Sequence, residues 1–316
     1  MAKGMLTAED FLVLLKERVA PVAHDDFTRT RDKQPRRRDA IFNIERTKQI
    51  EFQRRGRSAN FYPAISPDGT LAPTSDIKLL PPVVYRVVQY RRALVYTMEM
   101  MEDILRNPEV GFLQQGEILR KMLSDADDLI EDVAASVFIN AFSATAAGPD
   151  GKALCATDHP LRNSVSGATY NNTPFTTTSL SPDALNDAFV NLAETPDESG
   201  FIRGLTPKYL LVSPNLERRA KEILHSELIP YSAENTTNIF ANSLELIVWD
   251  RLSYIPNAWF VLTDKSQHSL YIFMHTDPTI VVDNQVDYKT RTLYTEVLTK
   301  FAVGFDDWRG VYGAGG

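Results

Sequence analysis

Hydrophobic and polar positions change period several times along this chain, and each change predicts an element. From Thr7 to Val19, Phe11, Leu14, Leu15 and Val19 fall on one helical face. Thr7 is placed to cap this short helix, and Asp10, three residues later, is its weak capping-box partner. From there to Arg38 the period fades, and the stretch reads as an arm. Between Ser58 and Met101 the pattern turns to β-branched and aromatic types, with Tyr85, Val87, Val88, Tyr90, Val95 and Tyr96 prominent. Pro67-Asp68-Gly69 supplies a turn, and Pro73, Pro81 and Pro82 keep these strands out of a continuous central sheet. The segment reads as a long projecting β-hairpin. Arg86, Arg91 and Arg92 alternate with apolar residues, as suits a two-faced ribbon that meets another surface.

A helical period then holds from Pro108 to Phe142 through Leu119, Leu123, Ile130, Val137 and Phe138, among others. At 1.5 Å per residue such a helix is ~50 Å long, a spine for the rest of the chain. Its polar side carries Asp125, Asp127, Asp128, Glu131 and Asp132. These carboxylates could hold a divalent cation, but with no EF-hand glycine or histidine beside them they read as a solvated acidic face. A low-complexity hinge follows Phe142. Beyond it strands and helices alternate: a helix opening at Ser181-Pro182-Asp183, a buried strand Lys208–Val212, and Ser213 as cap of a helix from Leu216 to Glu227. Strands follow at Leu244–Trp249, Trp259–Leu262 and Leu270–Met274, then a last long one within Asp287–Val303. No solenoid or propeller repeat is visible.

Composition narrows the class. With 43% hydrophobic and 24% charged residues, the 316-residue chain has the make-up of a folded soluble protein. No apolar run reaches the ~20 residues of a membrane span, and Phe11–Leu15 is too short and too soon charged for a signal peptide. One cysteine excludes an intrachain disulfide and fits synthesis in a reducing cytoplasm. The net charge of −7 is uneven, since residues 29–57 hold eleven Lys and Arg against four Asp and Glu. Such a basic arm can touch phosphates, cross to an acidic patch of a neighbouring subunit, or stay solvated.

Candidate chemistry is sparse. Motifs of the nucleophile elbow, phosphate-binding loop, dinucleotide fingerprint and zinc protease are missing. What remains is Asp150-Gly-Lys-Ala-Leu-Cys-Ala-Thr-Asp-His-Pro160, which places Cys155 and His159 four residues apart. The pair could be a thiolate and its base, but this requires contact and a third orienting group. Read as architecture, Asp150-Gly151 is a turn and Cys155 a small packed hydrophobe.

Taken in order, four pieces carry a resemblance. They are Asp150–Pro160 with Gly167-Ala-Thr-Tyr-Asn-Asn172; Leu180-Ser-Pro-Asp-Ala-Leu185; Thr206–Pro214 running into the helix that ends at His225-Ser226-Glu227; and Leu244–Leu252 with Trp259–Leu262. The chain resembles the major capsid proteins of tailed bacteriophages with the Hong Kong 97 (HK97-like) fold, particularly the Mu-like major head subunits. Similar proteins usually carry phenylalanine at Cys155, which implies an apolar packing position rather than a nucleophile.

The resemblance implies an α+β fold in four parts. Residues 1–53 form an N-terminal arm and 54–100 an extended β-hairpin, the E-loop. Residues 101–147 with 277–305 form a peripheral domain of spine helix and long strands, and 148–276 with 306–316 a mixed α/β axial domain. It implies a structural, non-enzymatic protein without cofactor or metal that self-assembles, through hexamers and pentamers, into an icosahedral shell around double-stranded DNA. On this reading Tyr85, Arg86, Val87, Tyr90 and Arg91 of the E-loop meet neighbouring subunits. Arg36, Arg37 and Arg38 of the basic arm meet a subunit or, nonspecifically, DNA. Partners would be further copies of the chain, a separate scaffolding protein, a portal and decoration proteins. The place would be the virion, after synthesis in the bacterial cytoplasm. Lys78 lies near enough to the hairpin for the lysine–asparagine crosslink known in one branch, though nothing picks its partner. An encapsulin-like compartment shell and a cysteine hydrolase using Cys155 and His159 are the alternatives.

Overall fold

The structure, a computed structural model, describes residues 7–33, 36–55, 82–161, 168–198, 200–226, 238–283, 287 and 290–316. The Pro67-Asp68-Gly69 turn, Lys78 and the end of the helix read as far as Glu227 lie outside them.

The N-terminal segment is helical for longer than its apolar period suggests. Helix α1 (Ala8–Leu14) opens with the expected capping box: Thr7 Oγ1 accepts from the Asp10 N–H at 3.3 Å, and the Thr7 N–H donates to Asp10 Oδ2 at 2.7 Å. A π-helical turn (Leu15–Val19) then passes into α2 (Ala20–Lys33). Pro21 accounts for the π turn, because its ring cannot donate and crowds the preceding turn, and widening the ladder keeps the chain helical. The arm expected after Val19 is therefore corrected to a helix. Ala20, Ala23 and Phe27 make its buried stripe, a helical spacing written mostly in small residues.

After α3 (Arg37–Ile41) come strands β1 (Asn43–Arg46) and β2 (Glu51–Arg55). Next are β3 (Pro82–Arg86), β4 (Val88–Thr97) and α4 (Met98–Arg106). The spine helix α5 (Pro108–Ile139) has 32 residues and starts with proline at its first position, as the sequence implies. Then come β5 (His159–Pro160), β6 (Thr169–Tyr170) and α6 (Pro182–Glu194), which Ser181 caps by accepting from the Ala184 N–H at 3.2 Å. Strand β7 (Pro207–Val212) leads through a 3-10 turn into α7 (Glu217–His225). Ser213 does not cap it, since its hydroxyl donates to the Pro256 carbonyl. The remaining strands are β8 (Glu245–Val248), β9 (Trp259–Thr263), β10 (Leu270–Val282), β11 (Thr292–Phe305) and β12 (Val311–Ala314).

Two four-stranded sheets result, in the orders β1-β10-β11-β4 and β12-β9-β7-β8. The second is covered on both faces. Tyr209 and Leu211 of β7, with Phe260 and Leu262 of β9, join Ile130, Ala134 and Phe138 of the spine. Leu210 and Val212, with Trp259 and Val261, pack on α6 and α7 instead. A strand buried on both sides reads as an unbroken apolar run, which is why Tyr-Leu-Leu-Val and Trp-Phe-Val-Leu show no alternation. Each such fully buried side chain contributes about 1.5–3 kcal/mol. Strand β11 does alternate. Its odd positions from Leu293 to Phe301 are buried and turn to the spine, where Leu293 clusters with Leu119, Val297 with Leu123 and Phe301 with Ile130. The spine thus holds both sheets.

The single long ribbon read between Ser58 and Met101 is corrected by this topology. Strand β3 pairs with β2, whereas β4 leaves that ribbon after one residue and pairs along its whole length with β11.

Candidate functional site

The loop that drew attention in the sequence is a hydrogen-bonded knot. Gly151 turns it at φ +83°, as the Asp150-Gly151 pair suggests. His159 is fully buried, its ring stacked on Trp308 at 4.2 Å between centroids. Its Nδ1 lies 2.6 Å from Asp150 Oδ2 and its Nε2 lies 3.0 Å from Asn172 Oδ1. The Asn172 amide is itself fixed, because its Nδ2 donates to the carbonyls of Leu154 and Val311 while its Oδ1 accepts the Ala156 N–H. His159 Nε2 therefore donates to Asn172, and its Nδ1 is hydrogen-bonded to Asp150.

The structure does not join Cys155 to His159. The thiol is buried, and that burial pushes its pKa well above the ordinary value, away from the thiolate. A Cβ at Gly313 would come within 2.6 Å of Cys155 Sγ and 2.8 Å of Phe260, so glycine is what admits the sulfur there. With both imidazole nitrogens committed elsewhere, this geometry builds a fold support out of the two residues.

Part of the acidic side of α5 and the basic segment before it turn out to be partners, which corrects the solvated reading at Asp127 and Glu131, while Asp125 and Asp132 are exposed. Arg38 is 2% exposed, and Asp127 and Glu131 are buried beside it. Its guanidinium donates to Asp127 Oδ1, to the Asp127 carbonyl at 2.8 Å and to Glu131 Oε2 at 3.3 Å. Arg36 meets Asp127 and Asp128, each at 2.9 Å. Burial raises the Glu131 carboxyl above its ordinary pKa, while the charge of Arg38 pulls it back. Of the three arginines expected on a free arm, only Arg37 is exposed, and its Nε donates to the Val248 carbonyl at 3.1 Å. Among the described residues no group of three His, Cys, Asp or Glu side chains is arranged to hold a metal.

The residues expected on the E-loop divide between inside and outside. Tyr85 and Val87 are buried within the subunit, in a cluster with Phe273 and Ala302. Tyr85 fits because Gly304 has no side chain: a Cβ there would stand 2.8 Å from its ring. The Tyr85 hydroxyl donates to Asp306 Oδ1 at 2.7 Å, and Arg54 Nε reaches Asp306 Oδ2 at 2.7 Å while its guanidinium lies 3.9 Å above the Tyr271 ring. Burial is the main cause raising the Asp306 pKa, with Tyr85 and Arg54 opposing it. Tyr90 is half-buried and stacks on Phe301 at 5.0 Å. Arg86 and Arg91 are exposed.

Sequence reasoning missed the partners that complete these sites. Asn172 stood in a quoted motif, but its role needs carbonyls from residues 154 and 311. Asp306, Asp307, Trp308 and Arg309 read only as a chain end. They include a second buried cluster, in which Arg309 donates to the Pro196 carbonyl at 2.7 Å, Asp307 at 2.9 Å and Glu198 at 3.0 Å. Four charged or aromatic residues in succession after a long strand were the available signal.

Taken together, the described polar centres bind chain to chain: they fasten a hairpin base, two sheets and a spine. A family model described as phage capsid protein matches residues 81–314. The chain belongs to that family. It is a structural protein of the phage virion that self-assembles into the capsid lattice, and its fold is the Hong Kong 97 capsid fold. Among solved structures, the capsid of bacteriophage JBD30, decorated with minor capsid protein trimers, shares this fold with TM-score 0.50 at 12% identity, over 69% of this chain and 91% of that one. Mycobacterium phage Adephagia matches with TM-score 0.49 at 12% identity, over 89% and 90%. The holo-SrpI encapsulin complex from Synechococcus elongatus PCC 7942 matches with TM-score 0.45 at 10% identity, over 89% and 87%. No curated protein matches the sequence.

Proposed function

We propose that this chain is the major head subunit of a tailed phage of the Mu-like group, closing as hexamers and pentamers into an icosahedral shell around double-stranded DNA. The family match over residues 81–314 is the observation that carries this reading. The paired strands β2 and β3 are the base of the E-loop, the spine with β11 and the end of β10 the peripheral domain, and the β7–β9 sheet with α6 and α7 the axial domain. The boundary at residues 276 and 277 falls in β10 where its register against β11 shifts. Exposed Arg86 at the hairpin base and Arg91 on β4 are the residues that reach a neighbour, whereas Tyr85 and Val87 fix the hairpin from within. Many modest contacts of this kind, repeated over a closed lattice, stabilise a shell without any single tight interface. Separate scaffolding, portal and decoration proteins complete the head, assembled in the bacterial cytoplasm. The subunit works without catalysis.

Electron microscopy of the purified protein, alone and coexpressed with the candidate scaffold, is expected to show closed hollow particles. A subunit that stays monomeric in every such condition would sink the proposal, and particles that enclose an enzyme rather than DNA would move it to a compartment shell.

A further inference from the structure

The helices α2 and α5 pack through Phe27, Leu123 and Ala126, and this contact leaves a cavity of about 320 Å³ beside it. Thr30, Arg31, Arg36, Arg120, Lys121 and Ser124 line it beside Phe27, and among the described residues no carboxylate does. Four cations from segments some ninety positions apart thus share one cleft on a chain whose net charge is −7.

They are not equally committed. Arg36 is neutralised by Asp127 and Asp128, and Lys121 has a solvent-exposed pairing with Asp125 at 3.3 Å. Arg31 and Arg120 have no ion pair among the described residues; Arg31 is half-buried and Arg120 exposed. Like charges brought together this way raise the local potential, and a bound anion relieves it. Guanidinium forks match a phosphate in two-pronged fashion, lysine adds a point charge, and the Ser124 hydroxyl can donate.

We propose that this cleft is a phosphate-binding site and that it takes the backbone of double-stranded DNA. This rests on the capsid reading and gives the packaged DNA a specific seat on the subunit, centred on Arg31 and Arg120 rather than on the ion-paired Arg36 and Arg38. Nothing in the cleft presents a base-reading pattern, so contact is with the backbone and independent of sequence.

The test uses the full chain before assembly and a short labelled DNA duplex over a series of salt concentrations. The double variant Arg31→Gln, Arg120→Gln is expected to bind about tenfold more weakly at low salt, and to flatten the slope of log affinity against log salt by about 2, at ~0.9 per phosphate contact. Arg120→Gln alone, at an exposed position, should flatten it by about 1. Arg218→Gln, on the exposed side of α7, should leave both quantities unchanged. Unchanged affinity and slope in both cleft variants would overturn the site. Tighter binding of polyglutamate than of the duplex through the same arginines would reassign it to an acidic peptide, and saturation by inorganic phosphate that the duplex cannot displace would reassign it to a free ion. Particle formation by these variants, read in parallel by electron microscopy, reports on the capsid reading separately.

Discussion

Single side chains in this subunit are placed by what they neutralise. Arg38 is the clearest instance, a nearly inaccessible guanidinium shared by Asp127 and Glu131. A buried pair of this kind gains little over well-packed apolar residues, but removing one member strands the others. Arg38→Ala should therefore lower subunit stability by about 3–5 kcal/mol, read as a shifted urea midpoint. A loss below about 1 kcal/mol would mean that water already reaches the carboxylates. Neither the burial nor the pairing was legible beforehand. Asp127 and Glu131 stand four residues apart on a helix face, a spacing that looks the same whether the face meets water or an arginine 89 positions earlier. Cys155 and His159 err the other way, close in sequence yet engaged with different partners.

At the scale of elements, period and capping chemistry foretold most of what formed. The Thr7 and Ser181 caps, the proline-started spine, the buried strand β7 and the strand β9 were all readable; that both strands are covered on two faces was not. The α2 helix was not, because its buried stripe is two alanines and one phenylalanine, too little apolar bulk to register as a period. Helix contacts also depend on residues that propensity would exchange. Gly111 lies in the first turns of α5, where alanine would favour the helix by about 1 kcal/mol. Its Cβ, however, would stand 2.8 Å from Ile104 Cγ2 and 3.1 Å from the Ile104 Cα and carbonyl oxygen. Backbone atoms cannot step aside as a side chain can, so Gly111→Ala should cost about 1–3 kcal/mol and lower Tm. A raised Tm would show that α4 moves freely over α5.

Across the whole molecule, Asp306 links pieces that sequence keeps far apart: Arg54 on β2, Tyr85 on β3 and the end of β11. Because burial raises its pKa in the folded state, the folded subunit holds this proton more tightly than the unfolded chain. Its stabilising contribution is thus complete below the ordinary aspartate pKa and is lost as pH rises through the elevated folded value. Asp306→Asn removes that dependence, so wild type should lose stability relative to the variant as pH climbs through this window. Urea unfolding at stepped pH reads the difference, and parallel curves would refute the assignment. By itself the sequence determined the local elements and, through the order of its motifs, the capsid family, because caps, turns and periodicity act within a few residues and repeat wherever they occur. Only the tertiary structure decided which charges are buried, where β4 pairs and which cations remain open beside the spine. Those outcomes depend on desolvation and on contacts between segments tens to hundreds of residues apart, and one-dimensional spacing carries neither.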